Sequence, residues 1–184
     1  HNRCRRQRQM CIRDSFRIAT KDASVGLPEV HLGLLPGSAG TQRTPRLVGV
    51  KNAIDIMTTG KPVKAEKALA IGAIDEIVDD LKSGAIAFAN KVIENATPLK
   101  RVSKSEERVE NNSENLEVIA QERAKWKKNS PHLNAPQKII DCVEQAVLLD
   151  YAGGMNFEQK TFQGLMDSDQ SKSLIHAFFA ERKS

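Results

Sequence analysis

The sequence predicts an α/β chain in which short strands alternate with helices at the front and helices alone make up the rest. Three observations predict this. Runs of strand-forming residues are short and confined to 16–20, 24–29 and 74–78. Apolar residues at helical spacing lie between them, punctuated by Gly60 and Gly72. After Thr97-Pro98 only the helical period persists, and no strand candidate follows Val78. The chain therefore divides into a segment 1–15 that stands apart, an α/β core over 16–97 and a helical region over 98–184.

Each element has its own signal. Residues 16–20 form a β-type run, Lys21-Asp22 reads as a turn, and residues 24–29 read as a second extended piece. The loop 36–40 leads into a helix with Ser38 or Thr41 as candidate N-caps. Pro45 fits that helix only in its first turn, where a missing N–H costs nothing. Residues 52–58 continue helically to Gly60, and a further helix spans 65–71 before Gly72. Residues 74–78 alternate as a half-buried strand. A helix over 81–95 places Ala85, Phe88, Ala89 and Val92 on one face. A charged helix then runs from about 105 to 127, with Val109, Leu116, Ile119 and Ala120 as its stripe and a solvated opposite face. Pro131 and Pro136 bound a connector. The helix 137–149 carries Ile139, Val143 and Val147 at i, i+4, i+8, and Gly153-Gly154 breaks it. Residues 156–166 form the next helix, partly burying Phe157, Thr161, Phe162, Leu165 and Met166. Ser171 caps a last helix with Leu174, Ile175, Phe178 and Phe179 on one side.

Composition excludes several functions. The chain has 184 residues, 40% hydrophobic, and a formal charge of +5. Most of that charge is local: residues 1–15 hold five arginines against Asp14, so the remainder is close to neutral. A neutral body with 4% aromatic residues makes no case for nucleic acid. No apolar run approaches a membrane span. Cys4, Cys11 and Cys142 cannot all pair, which fits a reducing compartment. Cys142 has the spacing of a buried helix position. The four histidines share no ligand spacing, so no metal site is expected. Segment 1–15 has no hydrophobic period and an Arg/Gln/Cys bias found nowhere else. It resembles translated adapter read-through rather than a transit peptide, a basic arm or a Cys pair, and is set aside.

Glu29 is the chemically conspicuous residue, the only acid from Ala23 to Ile54. Leu27, Leu32, Leu34 and Leu35 lie close to it in sequence. A carboxylic acid in apolar surroundings resists ionising, because the charged form loses water, and can then donate a proton as well as accept one. The bland alternative is an exposed Glu at a strand end. His31, two residues on, would share its strand face and serve as a packing residue or a catalytic partner. Gly33, Gly37 and Gly40 allow backbone to approach a substrate. The loop Gly37-Ser38-Ala39-Gly40-Thr41 lacks the lysine of a phosphate loop, Ser38 is not in a nucleophile elbow, and no dinucleotide fingerprint occurs.

The run IATKDASVGLPEVHLGLLPGSAGTQRTPRLVGVKNAIDIMTTGKPVKAEKALAIGAIDEIV, residues 18–78, resembles the enoyl-CoA hydratase/isomerase (crotonase) superfamily. Its Gly-Leu-Pro-Glu-Val-x-Leu-Gly-x-x-Pro-Gly-x-x-Gly-Thr-Gln-Arg signature is long and specific. The stretches APQKIIDCVEQAV and NFEQKTFQGLMDSDQSKSLIHAFFAERK resemble the linker after the hydratase domain of multifunctional fatty-acid β-oxidation proteins. The resemblance thus covers about 16–184. It implies a truncated crotonase-like ββα spiral followed by an all-helical C-terminal region. It also implies reversible hydration of a trans-2-enoyl-CoA, with Δ3-Δ2-enoyl-CoA isomerase as the alternative and a non-catalytic helical interaction module as the reading from another class.

Two glutamates flank the thioester in that family. Glu29 matches the one that handles the α-carbon proton, and Gly37 the loop glycine whose N–H helps hold the reacting water. Pro28, Leu34 and Pro36 share the implied substrate-binding segment. The first glutamate belongs to a Gly-Gly-Gly-x-Glu motif ahead of the strand at 16–20. That motif supplies one oxyanion N–H, and the other comes from still earlier. Residues 1–15 contain neither glutamate nor glycine. Losing one such donor costs about a hundred- to a thousandfold, so this chain alone is expected to be inactive and, with strand edges exposed, marginal or aggregation-prone. No cofactor is expected in this chain; the substrate is a coenzyme A thioester, and NAD would serve only a dehydrogenase domain beyond it. Packing against that domain or oligomerisation is the implied partnership. The location would be cytoplasmic in a bacterium, mitochondrial or peroxisomal in a eukaryote.

Overall fold

A computed structural model describes residues 15–181. They fall into two compact units that interleave along the chain rather than dividing near residue 97. The first unit takes residues up to Val25 together with Val63–Ser105, and the second takes Gly26–Pro62 with the chain from Glu106 onward.

The first unit holds all four strands among the described residues. β1 (Ile18–Thr20) pairs in parallel with β4 (Glu76–Val78), with Ile18 opposite Glu76. β2 (Ser24–Val25) pairs antiparallel with β3 (Val63–Lys64), a short strand just ahead of the helix at 65–71 that is not among the strand runs expected. Arg17 fixes the end of the parallel pair: its backbone N–H donates to Asp75 Oδ2 at 2.7 Å and its Nε to Ala73 O at 2.7 Å. Helix α3 (Ala65–Ile71) ends at Gly72 as expected, and Ala65, Ala68 and Ile74 form a small core beneath it. Helix α4 (Leu81–Glu94) is N-capped by Asp80, which accepts from Ser83 N at 2.8 Å. Its inward face is Gly84, Phe88 and Val92, while Ala85 and Ala89 are exposed. Phe88 meets Phe16 edge-on, with ring centroids 5.6 Å apart.

The second unit is helical and carries the larger core. α1 (Gly40–Val48) and α2 (Val50–Thr59) are separated at Gly49, so the expected single helix is two. α5 (Ser113–Asn129) begins at its own cap, Asn112, rather than near residue 105. Only Ile119 is buried there; Leu116 and Ala120 face solvent. α6 (Asn134–Leu148) absorbs Pro136 into its first turn, where a proline is tolerated, so the connector ends earlier than expected. Ile139, Val143 and Val147 are buried, with Ile140 beside them. α7 (Tyr151–Met166) starts at Asp150, whose side chain accepts from Gly153 N at 2.7 Å. Gly153 and Gly154 therefore lie inside a helix and do not break one. α8 (Asp169–Glu181) is capped by Ser168, not Ser171: Ser168 Oγ accepts from Ser171 N at 3.2 Å. Leu174, Ile175 and Phe178 are half-buried, whereas Phe179 is exposed. No described helix is long and apolar enough to cross a membrane.

Candidate active site

Glu29 sits in a 3-10 turn, Pro28–Leu32, and not on a strand. Pro28 occupies the start of the turn, where its fixed φ suits a helix and its absent N–H is not needed. Gly33 ends the turn at φ 69, and its N–H donates to Val30 O at 3.0 Å. Leu34 N donates to Glu29 O at 3.1 Å. Strand alternation therefore stops at Val25, and Glu29 and His31 do not share a face. His31 is exposed and lies over Gly60, where an added Cβ would stand 2.6 Å from its Nε2. That is the packing role. The Glu29 side chain is half-buried. Its Oε2 is shielded from solvent and has no hydrogen-bond partner among the described residues.

The residues after the turn differ in what they expose. Leu34 and Pro36 have their side chains packed inside the second unit, whereas Pro28 is exposed and Gly37 half-buried. Ser38 and Ala39 take left-handed backbone, φ 56 and φ 67, which costs a non-glycine residue about 1–2 kcal/mol. Gly40 N closes the loop onto Gly37 O at 3.0 Å, and a Cβ on Gly40 would stand 2.6 Å from Pro36 Cβ.

Neither Ser38 nor Thr41 caps α1 through its own side chain. The cap comes from Glu158 on α7. Its Oε1 accepts from Ala39 N at 2.8 Å, and its Oε2 accepts from Thr41 N at 3.0 Å and from Thr41 Oγ1 at 2.6 Å. Glu158 is 3% exposed, and burial pushes its carboxyl above the usual range against the pull of those hydrogen bonds. Gln42 is fully buried beside it, donating through Nε2 to Thr41 Oγ1 at 3.1 Å and to Cys142 O at 3.0 Å. Arg46, also buried, donates to Gln42 O at 2.9 Å and to Ala146 O at 3.4 Å, in the last turn of α6. Its guanidinium lies 5.3 Å from the centre of the Tyr151 ring. Pro45 is tolerated in the interior of this short helix, beyond the first turn that the sequence favours. Ser171 Oγ donates to Leu32 O at 2.9 Å and so ties α8 to the Glu29 turn.

Sequence reasoning missed Glu158, Gln42 and Arg46, and gave Ser171 a capping role in place of its bond to Leu32 O. The signal for Glu158 was legible. Gly154, Glu158, Thr161 and Leu165 form one stripe at i, i+4, i+7, i+11, and the acid is its only charge. It is the criterion that singled out Glu29, applied to a helix. Cys142 is the buried free thiol expected, pushed up to about 12 by desolvation. No group of three or more metal-ligating side chains occurs among the described residues. Residues 1–14, Cys4 and Cys11 among them, lie outside the described residues.

Comparison with known proteins places this geometry. A family model described as enoyl-CoA hydratase/isomerase matches residues 9–144, starting inside the segment set aside above and ending within α6. The chain is 39% identical over 170 residues to the glyoxysomal fatty acid beta-oxidation multifunctional protein MFP-a of Cucumis sativus, covering 91% of this chain and 23% of that protein. It is 40% identical over 162 residues to fatty acid oxidation complex subunit alpha of Shewanella loihica, covering 85% of this chain and 22% of that one. Among solved structures, carnitinyl-CoA hydratase from Mycobacterium avium aligns with a TM-score of 0.55 at 26% identity, over 90% of this chain and 52% of that chain. The chain thus spans less than a quarter of the length of these curated relatives. The signature at 26–43, the crotonase-type fold and the family match agree: the chain belongs to the enoyl-CoA hydratase/isomerase family.

Proposed function

We propose that this chain is the downstream part of the hydratase region of a multifunctional β-oxidation protein, with Glu29 handling the proton at the α-carbon. The observation that carries this is Glu29 Oε2, shielded from solvent without a protein partner. An orphaned buried acceptor costs about 1–3 kcal/mol, and a group kept for a reacting proton accounts for it. In hydration the upstream glutamate takes a proton from water as its O–H bond breaks, the water oxygen bonds to the β-carbon as the C=C π bond breaks, and a proton is delivered to the α-carbon from the protonated Glu29 carboxyl. Glu29 supplies that proton, while the Gly37 N–H helps hold the water. Pro28, Leu34 and Pro36 shape the acyl-CoA-binding segment. Hydration requires no cofactor from these residues; NAD would serve a dehydrogenase domain, against which the helical region packs, or a second copy meets it. The cytoplasm of a bacterium or the peroxisome of a eukaryote is the corresponding location.

The complete protein carrying this sequence should hydrate a conjugated enoyl-CoA, read as loss of its absorbance. Glu29→Gln should abolish turnover while acyl-CoA binding persists; a wild-type rate in that variant would remove Glu29 from the chemistry. The 184-residue chain alone should show no measurable turnover, and detectable hydration by it would contradict its proposed dependence on upstream groups. Isomerisation has a specific basis, since Glu29 is the lone acid of its segment. Conversion of a Δ3-enoyl-CoA to the Δ2 form without hydration would select it.

A further inference from the structure

We propose that Glu158 is a positioning residue for the Glu29–Gly37 segment, holding the loop 37–41 in the shape that aims the Gly37 N–H. This rests on the hydratase reading above. Glu158 touches no reacting atom; it acts through backbone. Its two oxygens take the N–H groups of Ala39 and Thr41, on either side of Gly40, together with the Thr41 hydroxyl. The first of those groups belongs to Ala39, the second of two consecutive left-handed residues, Ser38 and Ala39, directly after Gly37. Strained backbone of this kind persists only where its surroundings over-determine it. A neutral side chain could not do the same work. A glutamine would present one acceptor oxygen and one N–H₂, so one of the two backbone N–H groups would lose its acceptor.

Two features make Glu158 a device of the loop and not a passive core residue. Its side-chain hydrogen bonds among the described residues go to residues 39 and 41, 117 or more positions away, and not to its own helix neighbours. The contact is also extended laterally. Thr41 Oγ1 relays to Gln42 Nε2, which in turn holds Cys142 O on α6. The Thr-Gln pair of the signature is therefore read by the two helices α6 and α7. Glu158 itself lies beyond residue 144, where the family match ends. The positioning group is thus supplied by the helical extension.

The test uses the complete protein with Glu158→Gln. Its kcat for enoyl-CoA hydration should fall about ten- to a hundredfold, the scale of a slightly misplaced catalytic segment, while KM stays within about twofold. Adding Ala39→Gly should recover a clear part of the loss, because glycine adopts left-handed backbone without the carboxylate. Glu158→Asp keeps the charge but withdraws it by one methylene. It should show the same kcat-selective loss, and it serves where the glutamine variant does not fold. Amide hydrogen exchange at Ala39 and Thr41 should quicken in both variants. An unchanged kcat, a loss carried by KM, no recovery with Ala39→Gly, or unaltered exchange would each overturn the proposal. If the wild-type protein does not turn over enoyl-CoA, the hydratase reading fails on its own, and the exchange measurement still decides whether Glu158 holds the loop.

Discussion

Gly154→Ala would bring an added Cβ to 2.7 Å from Gln42 Cδ and closer still to its Oε1, a tighter approach than at Gly40 or Gly60. Gln42 has nowhere to retreat. It is fully buried, and its Nε2 is committed to Cys142 O and Thr41 Oγ1. Overpacking of this kind costs about 1–3 kcal/mol, and displacing Gln42 adds about 1–3 kcal/mol for buried polar groups left unpaired. Against this, alanine gains about 1 kcal/mol over glycine in a helix interior. The balance is a loss of about 3 kcal/mol. Gly164, on the same helix, is the internal control: an added Cβ there meets nothing within 4 Å. Gly164→Ala should therefore stabilise by about 0.5–1 kcal/mol, since only the propensity change remains. Urea unfolding followed by far-UV circular dichroism, with equal slopes for the three proteins, measures both. If Gly154→Ala were neutral or stabilising, α7 would not lie against Gln42 as described, and the Glu158 cap would lose its basis.

Other predictions concern the same helices. The Cys142 thiol is pushed up from 9.0 to about 12 by burial, so its neutral form stabilises the fold fully below about pH 9. That contribution, on the order of 4 kcal/mol, is lost as pH rises from 9.0 through about 12. Alkaline unfolding should therefore be less steep in Cys142→Ala than in wild type, and an identical slope would refute the assignment. Asp150→Ala removes the acceptor for Gly153 N at the start of α7 and should cost about 1 kcal/mol, measured as a lower urea midpoint at unchanged slope; an unchanged midpoint would show the cap to be idle. Glu29→Gln and Glu158→Gln complete the set, the first abolishing hydration and the second lowering kcat alone.

Local signals in the sequence were sufficient for some elements. α3 ended at Gly72 and the buried face of α6 followed its i, i+4 spacing, because a left-handed cap and an apolar stripe are properties of neighbouring residues. The family signature likewise identified the family without any coordinates. The failures share a cause. Residues 24–29 read as extended because alternation carries no information about where a proline will start a turn. Gly153-Gly154 read as a break because the sequence does not say that Gln42, 112 positions from Gly154, lies where a side chain on Gly154 would stand. Ser38 and Thr41 read as caps because the acceptor that serves the helix is contributed by Glu158.

By itself, then, the sequence determined the family, the lone acid and the order of a mixed α/β front before an all-helical back. These depend on residue identity and short-range period. Only the tertiary structure decided that Glu29 stands in a turn, with one oxygen buried and unpaired. Only it decided that the loop after Glu29 is held by α7 and α8. A backbone N–H donates to whichever acceptor the packing brings within about 3 Å, and burial depends on neighbours distant in the chain. Neither is encoded within the few residues that any local reading spans.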